Sequence, residues 1–404
     1  MTRRVAITGI GIVSPFGNGC DAAREALRDG RSGVVRLTSI DTSELTSKIG
    51  GEVPAAAHEG VVKGYDRFTR FALIAAREAA AMARLAESGV DPTRLAVIVG
   101  TGLGGAETQD ASYRRMYRDG ATRVPPTSIA WSMYNAAASA VATELGAKGA
   151  AYSVVSACAS SAHAIGQAFH AVRRGDCDIA IAGGADAPLA FGIIRAWESM
   201  RVLAVDNDNP AAACRPFSAD RKGLVLAEGA AILILESFEN AQRRGAAVIG
   251  EIVGFGITSD AGHLTDPSSD GAARAMRLAI DDAGVTPDGV DYINAHGTGT
   301  KANDATETAA IKAVFGARVP PVSSTKSMHG HAMGASGAIE IVSSIVALQA
   351  GFLPPTINLT ASDPACDLDY VANASRPTEA RLFLSNSFGF GGMNGVVAVR
   401  VSGP

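Results

Sequence analysis

The chain has 404 residues, 47% of them hydrophobic and 19% charged, with a net charge of −4. That balance excludes a disordered or charge-solvated chain and calls for an extensive buried interior, in one body of two halves or in two domains. With 36 Lys and Arg against 40 Asp and Glu, no bulk basic charge exists to hold nucleic acid or an anionic membrane.

The opening MTRRVAITGIGIVSPFG has only a short apolar stretch broken by glycines, so it reads as strand and turn and not as a signal peptide. Val5–Thr8 is a β-branched run ending at Gly9. Helical spacing predicts a helix over Arg70–Ala86. Leu95–Gly100 reads as a buried strand, Ala136–Leu145 as an Ala-rich helix and Ala151–Ser156 as a strand. A helix is then expected from Ser160 to Arg174, stopping before Gly175. Asp178–Ala182 and Ala230–Glu236 complete the first half as strands. The second half repeats the theme. Gly250–Thr258, Val290–Ala295 and Pro321–Ser324 are strand-like, and Gly271–Ala283, Thr306–Phe315 and Ser336–Leu348 are helical. Arg381–Ser387 and Val396–Val401 read as strands around a glycine loop. The alternation predicts an α/β fold built by duplication, with halves 1–250 and 251–404.

The five cysteines are Cys20, Cys158, Cys177, Cys214 and Cys366. An odd number with no CxxC or Cys/His ligand spacing predicts neither a disulfide framework nor a structural zinc, and fits a reducing cytoplasm. The apolar-leaning stretch Ala332–Gly351 carries Glu340 near its centre, which suits a buried helix better than a membrane span. Gly100-Thr-Gly102-Leu-Gly104-Gly105 fits G-x-G-x-x-G after a strand. No second strand or suitably spaced acid follows, so it reads as a tight turn near a substrate path.

Four motifs carry chemistry. In Val154-Val-Ser-Ala-Cys158-Ala-Ser-Ser161 an apolar strand runs into a small-residue turn and a helix. A cysteine there meets unpaired N–H groups and the helix dipole, which favour a thiolate. The local pattern fits a nucleophile and an inert buried cysteine equally. Asn294-Ala-His296-Gly-Thr298-Gly-Thr300 puts a histidine at a strand end beside glycine, aimed at a pocket or satisfied within its loop. Ser324-Thr-Lys326-Ser-Met-His329-Gly-His331 crowds basic groups before the buried helix, with Glu340 nine residues beyond. Such neighbours shift one another's pKa values, unless the segment is a surface turn. Ser387-Phe388-Gly-Phe390-Gly-Gly-Met-Asn394-Gly395 is a loop able to offer a backbone N–H to an oxyanion, or a plain hairpin connection. One Cys and two His on separate strand ends point to thiol-mediated acyl transfer.

Together, in this order, the motifs resemble the β-ketoacyl-[acyl carrier protein] synthases of the thiolase-type fold, above all the elongating synthase II and its type II polyketide relatives. The resemblance includes Asp186, Arg215-Pro-Phe217-Ser-Ala-Asp220, Ala227-Glu228-Gly229-Ala230 and Pro354-Pro-Thr-Ile-Asn358. It implies a layered αβαβα body. It implies that Cys158 accepts the acyl group, that His296 and His331 support decarboxylation of a malonyl unit, and that Lys326 and Glu340 stand beside them. The backbone N–H groups of Cys158 and Phe390 would form the oxyanion hole. Phe390 would gate an acyl pocket that includes Leu103 and Phe388, and Thr298 and Thr300 would lie near the carrier's pantetheine arm. No metal or organic cofactor is implied.

The implied partners are an acyl carrier protein, docked on Lys63, Arg67 and Arg70, and a second subunit placed near Thr127–Asn135. That subunit is a copy of the chain or a chain-length-factor paralogue, the latter in a polyketide or polyene pathway. Small residues at Ala136-Ala-Ala-Ser139 are expected to widen the acyl tunnel, and His329 adds a basic group. A thiolase would need a second Cys where Phe390 and Met393 stand. The initiating synthase would need Asn in place of His331. A non-catalytic chain-length factor would lack Cys158.

Overall fold

The computed structural model describes residues 3–58 and 60–403; Met1 and Thr2 of the opening stretch lie outside them. Ten strands form the path of the main sheet. The first half supplies β1 (Val5–Ser14), β2 (Leu95–Gly100), β3 (Ala151–Val154), β4 (Ile179–Asp186) and β5 (Gly229–Ser237). The second supplies β6 (Gly250–Ser259), β7 (Tyr292–Asn294), β8 (Val322–Ser323), β9 (Leu382–Gly389) and β10 (Met393–Val401).

Their spatial order is β3-β2-β4-β5-β1-β6-β10-β9-β7-β8. Outward from the β1–β6 seam, both halves run in the same order and the same directions. β2 is parallel to β3 and β4, as β7 is to β8 and β9. β5 is antiparallel to its neighbours, as β10 is to its own. The seam itself is short, pairing Val5 to Ile7 with Ile252 to Gly250.

Six helices complete the repeat: α1 (Arg67–Met82), α2 (Ala136–Leu145), α3 (Ser160–Arg174), α4 (Ser269–Asp282), α5 (Lys301–Phe315) and α6 (Ser336–Gln349). α3 and α6 touch strands of both halves and each other. α1 and α2 cover the first half's outer face, and α4 and α5 the second's. The result is an αβαβα stack of two duplicated halves. α6 is buried from Ser336 through Leu348, so its apolar sequence reflects a central layer. Among the described residues no helix is long and apolar enough to cross a membrane.

The strand–helix spacing is set by paired glycines. A Cβ at Gly9 or Gly11 would lie 2.1 Å from the carbonyl oxygen of Ala79 or Ala75 on α1. At Gly254 or Gly256 it would lie 2.2 or 2.0 Å from that of Ala279 or Ala275 on α4. Only glycine permits these two approaches, and they recur at equivalent places in the two halves.

Some boundaries differ from the expected ones. α1 begins a turn earlier, because the Asp66 carboxylate caps it by accepting from the Phe68 N–H at 3.1 Å. α5 starts at Lys301, capped by Thr300. The final strands pair up to Gly389 opposite Met393, so Phe390-Gly391-Gly392 form a tight hairpin turn. Among the helices that periodicity did not reveal, Ala106–Tyr117 and Phe191–Ser199 are short and half-exposed.

Candidate active site

The cysteine turn comes first. After β3 the chain passes through Ala157, held at φ +50, before Cys158 and the start of α3. A left-handed non-glycine residue beside a nucleophile is a common form of stored strain. Cys158 is 5% exposed and borders a cavity of about 230 Å³ that His296, His331, Thr298, Thr300, Phe388 and Phe390 also line.

His296 follows β7. Its N–H and that of Gly297 each donate to the Glu307 carboxylate at 2.8 Å. One turn earlier on α5, Asp304 accepts from Phe217 at 2.8 Å and Gly299 at 3.2 Å and faces Arg221. These two buried carboxylates hold the histidine loop. Their signal in sequence was two acids at i and i+3 on an Ala-rich helix face, and it went unread. The Lys326 ammonium donates to the His296 carbonyl at 2.7 Å, lies 3.4 Å from His296 Nδ1 and contacts Glu340. An ammonium only donates, so Nδ1 accepts and the ring proton sits on Nε2, facing the cavity.

His331 reaches the sulfur from the other side, with Nε2 at 3.1 Å from Cys158 Sγ and Nδ1 at 2.8 Å from Ser336 Oγ. The two imidazoles meet edge to face with centroids 5.4 Å apart, and Phe388 packs on His296 at 6.0 Å. The Phe390 N–H pulls the Cys158 thiol down, and the Phe390 ring stacks on Trp197 at 5.6 Å and 24°. Trp197 was not among the expected residues; it comes from one of the unforeseen helices and lines the same cavity. Leu103 packs against the apolar cluster containing Cys158.

Asp186, at the end of β4, joins the halves at this point. Its carboxylate accepts from Thr101 Oγ1 and Gly102 N, each at 2.7 Å, from Leu103 N at 3.1 Å and from Gly334 N at 2.7 Å. The first glycine loop spends the Gly102 and Leu103 N–H groups on Asp186, that of Gly104 on Thr101 Oγ1 and that of Gly105 on the Ser132 carbonyl, and none is left to cradle a phosphate.

Burial and charge fix the protonation states. Burial pushes the Cys158 thiol up to about 12, against the pull of Lys326 and the Phe390 N–H. Burial, then Lys326, holds both imidazoles well below their ordinary value. Burial lifts the Glu340 carboxyl above the usual range while Lys326 pulls it down. The resting site is thus a thiol beside two neutral rings, and the thiolate expected from the helix terminus is corrected by desolvation. The Cys158, His296 and His331 ligand atoms lie within 4.8 Å of one another, a spacing that a metal tolerates. The donor set is wrong for one, because Lys326 keeps the His296 Nε2 protonated and unable to ligate.

Residues 2–241 match the family described as "Beta-ketoacyl synthase, N-terminal domain", and residues 249–360 match "Beta-ketoacyl synthase, C-terminal domain". The chain belongs to the β-ketoacyl synthase family. Nodulation protein E of Rhizobium sp. (strain N33) is 44% identical over 406 aligned positions, spanning 99% of this chain and 100% of that one. The 3-oxoacyl-[acyl-carrier-protein] synthase 2 of Staphylococcus aureus (strain N315) is 41% identical, covering 98% of each. A solved structure described as "The ishigamide ketosynthase/chain length factor" matches with a TM-score of 0.94 at 36% identity over the whole of both chains. As a β-ketoacyl synthase with the thiolase-type fold, the protein is a condensing acyltransferase.

Three expectations about this synthase need correction. Arg67 is not a docking residue. Its guanidinium is buried against Glu228 in the first half's interior, because α1 turns that face inward. Of the expected patch, Lys63 is exposed and Arg70 lies 3.9 Å from Glu107. Ala136, Ala137 and Ala138 do not widen the acyl tunnel, since they pack in the outer core with Phe68 and Val97, apart from the Cys158 cluster. His329 adds no charge to the site. It is fully buried, both ring nitrogens are hydrogen-bonded, and burial pushes it down to about 3.

Proposed function

We propose that the protein elongates an acyl chain by decarboxylative condensation with malonyl-carrier, using Cys158 as acyl acceptor and His296 and His331 as the decarboxylating pair. The observation that carries this reading is the convergence of two neutral imidazoles and one thiol on a single cavity. The half spanning 1–250 supplies the nucleophile, and the half spanning 251–404 supplies the histidines, Lys326 and Glu340.

In the first step Cys158 Sγ attacks the thioester carbonyl of acyl-carrier. The carrier thiol departs with the proton that Sγ gives up, and the Phe390 and Cys158 N–H groups hold the oxyanion. A Cβ at Gly389 would lie 3.0 Å from the Ser156 carbonyl and 3.1 Å from the Cys158 nitrogen, so glycine keeps this hole open. In the second step the malonyl carboxylate leaves as CO2, and its bonding pair becomes an enolate. His296 Nε2–H and His331 hydrogen-bond the enolate oxygen. The carbon then attacks the Cys158 thioester, the C–S bond breaks, and a β-ketoacyl-carrier two carbons longer leaves. The Lys326 ammonium fixes the His296 tautomer and keeps the ring neutral. Phe390, hinged by Gly391 and Gly392 at φ +81 and +70, gates the acyl pocket against Trp197.

An acyl carrier protein brings both substrates, with Thr298 and Thr300 beside its pantetheine arm and Lys63 and Arg70 left as docking candidates. The chain pairs with a second copy or a chain-length-factor paralogue. The exposed Ile129, Met133, Tyr134 and Val155 and the exposed start of edge strand β3 suit burial in such a contact. Five unpaired, buried cysteines suit work in the cytoplasm.

The deciding experiment feeds labelled malonyl-carrier and acyl-carrier to the purified protein. Cys158→Ala is expected to abolish acyl transfer with the thermal midpoint kept. His296→Ala and His331→Ala are expected to cut condensation about 100-fold or more, and acylation far less. Equal losses in both steps would refute the assigned roles.

A further inference from the structure

His329 takes no part in the chemistry above, yet it lies buried between Lys326 and His331. We propose that it is a positioning residue that clamps the peptide between Gly330 and His331, and through that peptide aims the His331 ring at the reacting atoms. The inference rests on the condensing function just described.

The hydrogen bonds fix the ring's state. His329 Nδ1 lies 2.7 Å from the Gly330 carbonyl oxygen, and Nε2 lies 3.1 Å from Thr325 Oγ1. A carbonyl only accepts, so Nδ1 carries the proton, and Nε2 accepts from the Thr325 hydroxyl. One neutral tautomer satisfies both partners.

The clamped peptide is restrained on its N–H side by a β-bridge between Leu226 and His331, and on its carbonyl side by His329. Gly330 sits at φ +78 and ψ −170, a conformation open to glycine and disfavoured for side-chain-bearing residues. At the far end of the same peptide the His331 N–H donates to the Val225 carbonyl at 2.7 Å. The plane is therefore pinned at both ends, by His329 on its oxygen and by Val225 on its N–H. His331 leaves this plane directly, and its ring ends 3.1 Å from the sulfur.

The other side of the ring ties back to the remaining machinery. Thr325 immediately precedes Lys326, and its Oγ1 also receives Asn294 Nδ2 at 3.4 Å, at the end of the strand that carries His296. The imidazole thus braces its own loop from Thr325 to Gly330, and Thr325 links that loop to the strand that carries His296. A displacement of about 1 Å at a reacting group costs on the order of 100-fold in rate. Condensation bears that cost, because it needs both rings on one oxygen. Acylation needs the sulfur and the Phe390 N–H.

Three variants separate this from a packing role. His329→Asn keeps a donor at the δ position and is expected to retain condensation within about threefold of the parent. His329→Gln reaches only the Thr325 side, and His329→Leu reaches neither. Both are expected to lose on the order of 10- to 100-fold in condensation with acylation changed by less than about threefold. Thermal midpoints are recorded for all three.

Full condensation by the Gln variant would overturn the clamp, as would an inactive but folded Asn variant or equal loss of both steps in the Leu variant. A crystal structure of His329→Leu gives a readout independent of turnover. A rotated Gly330–His331 peptide supports the clamp, and an unmoved one overturns it. Failure of the parent protein to condense would instead count against the function itself, and the clamp is then judged on that peptide.

Discussion

Cys158 gains reactivity only when its proton has somewhere to go. Burial holds the thiol at about 12, with the His331 Nε2 atom 3.1 Å from the sulfur. Small alkylating agents react with the thiolate alone. The rate of Cys158 carbamidomethylation by iodoacetamide is therefore expected to climb about tenfold per pH unit from 7 to 10. A plateau near 8.5, where an ordinary thiol levels off, would show that burial does not govern this sulfur. At this scale the sequence was most legible where chemistry needs rare residue types: Cys158, His296, His331, Lys326 and Glu340 all meet at one place. It was least legible where common residues support the histidines from behind. Glu307, Asp304 and Ser336 orient the two histidines, yet each looks like an ordinary helix residue until the chain is folded.

At the scale of elements, alternation and Ala-rich periodicity located the strands and helices of both halves. Boundaries moved where a cap overrode periodicity, as Asp66 does for α1. The duplication had a visible trace that composition hid. Thr8-Gly-Ile-Gly-Ile and Val253-Gly-Phe-Gly-Ile257 open the two halves, and each Gly-x-Gly meets an Ala-rich helix backbone. A substitution tests this directly. Gly256→Ala places a methyl 2.0 Å from the Ala275 carbonyl oxygen, so α4 must shift off β6. The expected cost is about 1–3 kcal/mol, read as a lower urea midpoint. An unchanged midpoint would mean that the strand–helix spacing is slack.

Across the whole molecule, nucleophile and histidines come from different halves, registered by the short seam, by α3 and α6, which touch both, and by contacts at the site itself. Asp186 is one of these contacts, bonding Gly102 from the first half and Gly334 from the second. Burial raises its carboxyl to about 6, although four donors pull it down. Its folded value lies above its unfolded one, so its contribution to stability is full below about 4, falls as pH rises to about 6 and is level above. Asp186→Asn removes that slope, and its amide turns an N–H toward at least one former donor. The expected outcome is a lower urea midpoint at pH 7, with the gap to the parent narrowing where Asp186 ionises, between pH 4 and 6. A gap independent of pH would show that the carboxyl does not titrate in this range.

The chain contains only two tryptophans. One of them, Trp197, lies flat against the ring of Phe390. Any swing of that phenylalanine changes the environment of half the indoles in the protein. Acyl loading therefore carries its own optical label: stopped-flow emission on mixing with acyl-carrier should shift with the kinetics of thioester formation, and the shift should vanish in Trp197→Phe.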